Sequence, residues 1–302
     1  MAQEAYPIRT DLALETQERI QKNKKNIHGI EYREIKKEHG IIISTVSILT
    51  ENASLKMRRP KGEYITIEAP EMSDDDSGYH REISEELARS LKGMIDKLCE
   101  SEDIIKKDSY DVLVVGLGNR EVTPDALGPR VIDNLFITRH IMKEYGSYAF
   151  GKENVNRISG LVPGVMAQTG MECLEIIRGV VNETHPDCVI TIDALAARST
   201  KRLGRTIQLT NTGIVPGSGV GNHRNAINQS NIGVPVISIG IPTVVDAVTI
   251  VSDAVNANRD MTKQLMSPQL HGMFVTPKDI DGTIKRLSFM LSEGLNIAFS
   301  EE

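Results

Sequence analysis

The sequence has no tryptophan, and aromatic residues make up only 4% of its 302 positions, so its core must be mainly aliphatic. It also has only three cysteines, Cys99, Cys173 and Cys188, and no C-x-x-C pair. The odd number and the wide spacing argue against a zinc ribbon and against a disulfide framework. We expect these cysteines to be buried free thiols in a reducing compartment.

Two further absences limit the location and the partners of the chain. No apolar run approaches the roughly 18 residues of a membrane span, and the first twenty residues are too polar for a secretory signal. Basic residues are not in excess, since the formal net charge is -6. General binding to nucleic acid or to a membrane surface needs a basic face. We therefore expect a cytoplasmic protein with no direct nucleic-acid partner and no membrane partner.

What the sequence does contain is a series of short apolar runs, separated by stretches with apolar residues at helical spacing. The runs are rich in β-branched residues and predict strands at 41–50, 63–69, 111–119, 188–195, 206–210 and 235–242. The intervening stretches predict helices through 83–98, 127–144, 244–255 and 284–295. Apolar strands that alternate with helices indicate a mainly parallel sheet covered on both faces. The predicted fold class is α/β, a three-layer α/β/α architecture of the phosphorylase/hydrolase-like kind with additional N-terminal strands.

Acidic residues lie close to the ends of two of these strands, at the sheet edge where open α/β folds bind ligands. Asp193 comes near the end of the apolar run CVITIDAL (188–195). A buried carboxylate is costly unless it is paired or protonated, so neither solvation nor packing explains an acid at this position. Asp125, in VTPDALGP, has two interpretations: a helix N-cap, or a second functional carboxylate in the same cleft.

Two carboxylates in one cleft can divide acid and base work. Burial and mutual repulsion raise the pKa of one, while the other stays ionised. One group then activates water and the other protonates a leaving group. The same pair could instead hold a metal ion if a third ligand completed the site. His223, in the loop 211–225, is placed to be that ligand, and a hydrogen-bonding loop residue is its other interpretation.

Two glycine-rich segments match phosphate-binding motifs only in part. In GLGN (116–119), a dinucleotide fingerprint would need a third glycine where Glu121 stands, and the loop 211–225 lacks the G-K-[ST] of a P-loop. We expect GLGN to form a tight turn over the strand end. We expect the loop 211–225 either to wrap an extended peptide or to be mobile, and no cofactor or metal is predicted.

Several arginines lie close in sequence to the predicted strand ends. Guanidinium groups there could bind an acidic side chain of a substrate, and solvated surface charge is the alternative for each of them. The candidate substrate-binding residues are Asn119, Arg198, Arg202, His223 and Arg224.

Longer segments of the chain together resemble the germination protease family of spore-forming bacteria. The matching segments are RTDLALE (9–15), VVGLGNREVTPDALGP (114–129), LVPGVMAQTGMEC (161–173), VITIDALAARS (189–199), GNHRNAI (221–227) and GIPTVVDA (240–247). The resemblance runs from about residue 9 to the C-terminus. The G-x-G-N opening is also similar to hydrogenase-maturation proteases, which have a related α/β/α fold.

The resemblance implies an endopeptidase of the aspartic type, acting in the forespore or spore core. Its substrates would be small acid-soluble spore proteins, which are degraded during germination. The family's two proposed catalytic aspartates map onto Asp125 and Asp193. One carboxylate would activate water while the other acts as an acid. The resemblance also implies a homotetramer.

Members of the family also resemble zymogens that remove their own N-terminal propeptide. The family cleaves after an acidic residue that is followed by a large apolar residue and alanine, which implies self-cleavage between Asp11 and Leu12. Residues 1–11 would then be the propeptide, and residues 12–302 a single peptidase domain. The family also favours an acidic residue three positions before the cleaved acid, and Ile8 stands there in this chain.

Three other functions remain open. A metal-dependent peptidase of the maturation type would use Asp125, Asp193 and a third ligand on the same fold. A nickel- or nucleotide-binding chaperone is disfavoured by the missing phosphate motif and by the lack of a His/Cys cluster. A nucleoside-phosphorylase-like enzyme would turn over nucleosides in a phosphate-dependent reaction.

Overall fold

A computed structural model describes residues 10–22, 27–101, 109–218, 224–254, 270 and 272–300, and within them one sheet carries helices on both faces. The strands are β1 (Ile30–Lys36), β2 (Ile42–Ile48), β3 (Gly62–Glu68), β4 (Asp111–Gly116), β5 (Arg157–Leu161), β6 (Cys188–Ala197), β7 (Thr206–Thr210), β8 (Val236–Asp246) and β9 (Phe274–Val275). The helices are α1 (Ala13–Lys22), α2 (Glu51–Met57), α3 (Ser77–Ser101), α4 (Leu127–Asn134), α5 (Arg139–Tyr145), α6 (Met166–Thr169), α7 (Cys173–Thr184), α8 (Gln229–Ile232), α9 (Ala247–Ala254) and α10 (Ile280–Phe299).

The sheet has a parallel part and an antiparallel part. Its order is β1-β2-β3-β7-β8-β6-β4-β5, and β9 pairs with β8. The pairs β8-β6, β6-β4 and β4-β5 are parallel, whereas the other pairs are antiparallel. Links such as 37–41 are too short for the crossover that parallel neighbours need. The α/β fold with additional N-terminal strands is confirmed, with its parallel pairing confined to four strands.

Two aliphatic layers hold the helices against the sheet. On one face, α3, α4 and α10 pack through a core that includes the fully buried Leu87, Leu127 and Leu291. On the opposite face, α7 packs through residues such as Ile177, and α1 and α2 cover β2 and β3. These layers confirm the predicted three-layer architecture. None of the helices in the described ranges has the length and the apolar character needed to cross a bilayer.

Two of the predicted helices are wrong in their bounds. The stretch 127–144 forms two helices, because Leu135 has an extended backbone (φ -77, ψ 136) that ends α4. Val244 lies in β8 and not in a helix, because β8 keeps pairing with β6 as far as the Ala197–Val245 pair. Val255, the last predicted position of that helix, lies outside the described residues.

β6 is longer than predicted, which changes the setting of Asp193. The strand continues past the predicted end at Leu195 to Ala197. Asp193 pairs with Gly240 of the parallel neighbour β8. Because of the extension, Asp193 lies further from the end of the strand than predicted.

Candidate active site

Asp125 is held in place by the tight turn that follows β4. Gly118 has φ +111, and a Cβ at this position would lie 2.0 Å from the backbone oxygen of Asp125. Glycine is therefore required for the turn to pass so close to the acidic residue. The backbone N–H of Asn119 donates a hydrogen bond of 2.8 Å to Oδ2 of Asp125. The predicted role of GLGN as a turn is confirmed.

The alternative interpretation of Asp125 as a helix cap is wrong. Asp125 ends a short 3-10 turn (Thr123–Asp125). The residue at the N-cap of α4 is Ala126, and no side-chain capping bond forms there. The carboxylate of Asp125 faces the strand end instead, where Asn119 binds it.

Asp193 is a buried carboxyl group, with only 5% of the residue exposed. Its Oδ1 accepts a hydrogen bond of 2.9 Å from the backbone N–H of Ala194. Burial raises the pKa of Asp193 well above its usual value, and the negative charges of Asp125 and Asp11 raise it further, against smaller lowering effects of Ala194 and Arg224. Asp193 is therefore the carboxyl group of the site that is best suited to hold a proton.

The pKa of Asp125 is also raised by burial. Here the hydrogen bond from Asn119 and the positive charge of Arg224 act in the opposite direction. Both carboxyl groups accept a backbone N–H and are influenced by Arg224, but the pKa of Asp193 is raised further by two acidic neighbours. Two interacting carboxyl groups with different surroundings can divide acid and base roles.

Two cavities meet at these aspartates. One has a volume of about 330 Å³, and its lining includes Asp125, Asp193, Cys173 and Arg224. The other has a volume of about 270 Å³ and is lined in part by Gln208. Asp193 and Asp11 line both cavities. The cleft therefore extends to both sides of the buried carboxyl group.

The N-terminal segment of the chain itself lies in this cleft. The backbone N–H of Asp11 donates a hydrogen bond of 2.9 Å to the carbonyl oxygen of Ala196. The Asp11 carboxylate accepts hydrogen bonds from the backbone N–H of Ala196 (2.8 Å) and from Oγ of Ser218 (2.9 Å). The next residue, Leu12, is fully buried and packs in an apolar cluster with Leu195. The acidic and the apolar side chain are thus each bound in a separate subsite.

The segment is also held along its backbone. Gln208 accepts a hydrogen bond of 2.7 Å from the N–H of Ala13, and its Nε2 donates one of 2.9 Å to the carbonyl oxygen of Asp11. Nη2 of Arg59 donates a hydrogen bond of 3.0 Å to the carbonyl oxygen of Thr10. Asp11 and Leu12 are therefore fixed on both sides.

An acidic residue in α1 anchors the segment further along. Glu15 is buried and accepts hydrogen bonds from the backbone N–H groups of Arg198 (2.8 Å) and Ser199 (2.9 Å). Arg202 pairs with Glu15 at 3.6 Å and with Glu18 at 2.7 Å. Arg202 also reaches an acidic residue of β3, so α1 is tied to the sheet by charge.

The predicted substrate-binding residues do not all lie in the same part of the site. Arg224 lines the cavity of the two aspartates, and Asn119 binds Asp125 through its backbone. Arg198 and Arg202 contact the acidic residues of α1. His223 lies outside the described residues.

The cysteines and the possible metal ligands are the other side chains that could react. Cys173 and Cys188 are buried thiols, as predicted, while the side chain of Cys99 lies outside the described part of the structure. Burial raises the pKa of Cys173, so its neutral thiol is favoured. Within the described ranges, no three His, Cys, Asp or Glu side chains come together as a possible metal site.

Three residues that hold the N-terminal segment in place were not predicted from the sequence: Gln208 and Arg59, which bind it, and Glu15, which belongs to it. A signal existed for Gln208, because it alternates with Ile207 and Leu209 in TIQLT and so marks a polar strand face. Glu15 and Arg59 gave no such signal, since their contacts come from the docking of α1 near β6 and β7.

Comparisons with known proteins show which proteins this chain resembles. The chain matches the family model described as Germination protease over residues 8–258. The germination protease of Caldanaerobacter subterraneus subsp. tengcongensis is 45% identical, over 96% of this chain and 94% of that protein. The one from Clostridium perfringens (strain 13) is 40% identical, over 97% and 95%. The one from Bacillus subtilis (strain 168) is 36% identical, over 98% and 94%.

One solved structure also aligns with the chain. It is the crystal structure of a NiFe hydrogenase maturation protease, HycI, from Thermococcus kodakarensis KOD1. The alignment has a TM-score of 0.31 and 18% identity, and it covers 61% of this chain and 92% of the other.

Proposed function

The chain belongs to the germination protease family and is a peptidase, and we propose that it is an aspartic-type endopeptidase that cleaves itself and then small acid-soluble spore proteins. One observation carries the proposal. A peptide bond between an acidic and a large apolar residue, Asp11–Leu12, is bound in the cleft of the Asp125–Asp193 pair. Both neighbouring side chains are held, as a substrate would be.

In the proposed reaction, water attacks the carbonyl carbon of Asp11. Asp125 in its ionised form takes the proton from the water, and Asp193 in its protonated form gives a proton to the nitrogen of Leu12. The C–N bond breaks, leaving a carboxyl group on Asp11 and an amine on Leu12. The surroundings of the two carboxyl groups support this assignment, because the acidic neighbours of Asp193 favour its protonated form.

The bound N-terminal segment also supports the proposal of a zymogen. A cleft that holds residues 10–15 of its own chain has no room for another peptide in the same subsites. We therefore propose residues 1–11 as a propeptide and residues 12–302 as the peptidase domain. From membership of the germination protease family, we also propose small acid-soluble spore proteins as substrates, a homotetramer, and a location in the forespore or spore core.

The proposal is tested by following the N-terminus of the purified full chain at mildly acidic pH by intact mass. The wild type is expected to lose residues 1–11. Asp125→Asn and Asp193→Asn are expected to stay intact while remaining folded, as judged by thermal unfolding. Processing at the wild-type rate in either variant would remove that aspartate from the mechanism.

The same sample distinguishes the metal-dependent peptidase and tests the assembly. Cleavage that survives exhaustive chelation argues against a metal-dependent reaction, whereas loss of cleavage and its return with added metal supports one. Native mass spectrometry is expected to show four chains per particle. A purified small acid-soluble spore protein is expected to be cut only by the processed enzyme.

A further inference from the structure

The side chain of Gln208 contacts the peptide bond that the proposed reaction breaks. Its Nε2 donates to the carbonyl oxygen of Asp11 at 2.9 Å, and its Oε1 accepts from the N–H of Ala13 at 2.7 Å. The two contacts lie on opposite sides of the Asp11–Leu12 bond. They also fix the orientation of the amide, because a carbonyl oxygen only accepts and a backbone N–H only donates. The donor of Gln208 therefore faces the carbonyl oxygen.

Gln208 and Asp193 occupy the same row of the sheet. Asp193 on β6 pairs with Gly240 on β8, and Gln208 on β7 pairs with the same Gly240. Residues that pair across neighbouring strands point to the same face. Gly240 lies between these two polar residues and has no side chain. A Cβ there would lie 2.6 Å from the side chain of Leu195. Acid and amide thus face one space from either side.

Burial strengthens the hydrogen bond that Gln208 donates to the carbonyl oxygen of Asp11. Gln208 is only 6% exposed, so water competes little for its donor. A carbonyl oxygen becomes negatively charged when water adds to the carbon. A fixed donor in a water-poor site stabilises that charge more than it stabilises the neutral carbonyl group.

We propose that Gln208 is a third catalytic residue, which stabilises the negative charge on the carbonyl oxygen of Asp11 while the Asp11–Leu12 bond is hydrolysed. The inference rests on the proposed function. It gives β7 a role in the reaction, beside the two aspartates near β4 and in β6. A peptide bound in the place of residues 11–13 would receive the same contact.

The test uses the full chain and the first-order rate at which it loses residues 1–11. Gln208→Met, which keeps the length of the side chain and removes the donor, is expected to slow the reaction about 10²–10³-fold. Gln208→Leu, which also removes the donor, is the second variant in case the first fails to fold. Thr66→Val is the matched control. Thr66 is buried, pairs with Gln208 across β3 and β7, and has a hydroxyl without a hydrogen-bond partner among the described residues.

A second readout separates catalysis from positioning. In an Asp193→Asn background, which keeps the segment uncut, hydrogen exchange at the Ala196 amide reports whether Asp11 stays docked. Slow processing with unchanged protection of this amide supports a catalytic role. An unchanged processing rate overturns it. A slower rate accompanied by loss of protection of this amide in both variants also overturns it. A wild type that keeps residues 1–11 overturns the proposed function itself, so the two failures are distinguishable.

Discussion

The buried carboxyl group of Asp193 connects the stability of the fold to pH. Its pKa is raised by burial first and by its acidic neighbours next. Below the pKa of the unfolded chain, both states carry the proton and this group costs no stability. As pH rises from there towards the raised pKa of the folded state, the unfolded chain releases its proton first, and the free energy of unfolding falls.

Asp193→Asn is therefore expected to stabilise the protein at neutral pH and to leave it nearly unchanged at acidic pH. Titration of this one carboxyl group changes the free energy of unfolding by at most about 1.4 kcal/mol per pH unit. Calorimetric unfolding of the wild type and the variant across this range measures the difference. Two curves that stay parallel with pH would contradict a raised pKa at Asp193.

The turn at Gly118 is expected to tolerate no side chain. In Gly118→Ala, the methyl group meets the backbone oxygen of Asp125, and φ +111 is strained for alanine. We expect a loss of at least about 1–3 kcal/mol in stability, and a loss of self-processing because Asp125 is displaced. Thermal unfolding and intact mass measure the two effects.

Gly179→Ala is the matched control for this prediction. Gly179 lies in α7, and a Cβ there meets nothing within 4 Å. Alanine favours a helix over glycine by about 0.5–1 kcal/mol, so this variant is expected to gain stability and to keep its activity. A similar loss in both variants would refute the role of the turn.

For single residues, the sequence predicts the chemical role of a side chain better than it predicts the contacts of that side chain. Asp193 could be identified from the sequence because packing does not explain an acidic residue within an apolar strand. Gln208 is equally buried, but an amide in a strand can be satisfied by many partners, and its partners Asp11 and Ala13 lie about 195 residues away in the chain. Contacts at that separation arise from the tertiary fold.

Ion pairs attach helix α1 to the sheet. Arg202 has a side chain that is 11% exposed and contacts three acidic residues, Glu15, Glu18 and Glu68. Arg202→Met is expected to weaken the docking of α1 by about 1.5–3 kcal/mol, because hydrogen bonds to charged groups are lost. Faster hydrogen exchange at the amides of Arg198 and Ser199 would report this loss.

Arg81→Met provides the comparison for this element. Arg81 and Glu85 form an exposed pair one helical turn apart in α3. Such pairs contribute about 0.3–0.5 kcal/mol, so exchange at the Arg198 and Ser199 amides is expected to stay unchanged. If Arg202→Met also leaves the Arg198 and Ser199 amides protected, the ion pairs do not hold α1.

Element types were more predictable than element ends. The apolar stripe of α10 and the continuous apolar runs of β4 and β6 follow directly from periodicity. The break at Leu135 and the extension of β8 to Asp246 do not, because they depend on pairing with β6 and on packing. The site was affected, since the extra length of β6 places Asp193 further from the end of the strand than predicted.

The C-terminal helix completes the core of the whole molecule, although the matched family range ends at residue 258. Leu287, Leu291 and Leu295 of α10 are fully buried against the sheet layer. Loss of one such leucine side chain costs about 2–5 kcal/mol, and a domain is stable by only about 5–15 kcal/mol. A chain that ends at residue 279 is therefore expected not to fold.

Far-UV circular dichroism and solubility measure this outcome. Removal of residues 301–302 keeps every residue of α10 and is the control. A cooperative unfolding transition in the chain of 279 residues would show that the other helices suffice for the core.

The class of the whole fold was predictable, but its sheet order was not. Alternation of apolar strands and helices indicates an α/β architecture wherever it occurs. The placement of β7 between β3 and β8 joins an antiparallel half to a parallel half. No local pattern encodes that junction, and it is the junction that brings Gln208 opposite Asp193.

The docking of residues 10–18 also determines what a free substrate must displace. Residues tied to a cleft by a short stretch of chain are present there at an effective concentration in the millimolar range. Cutting the Asp11–Leu12 bond leaves Leu12, Ala13 and Glu15 attached to the enzyme, with their own contacts intact. The newly cut end would then act as a tethered competitor. A substrate in solution gains access only as often as α1 leaves the cleft, so turnover would depend on the departure of this helix as well as on chemistry.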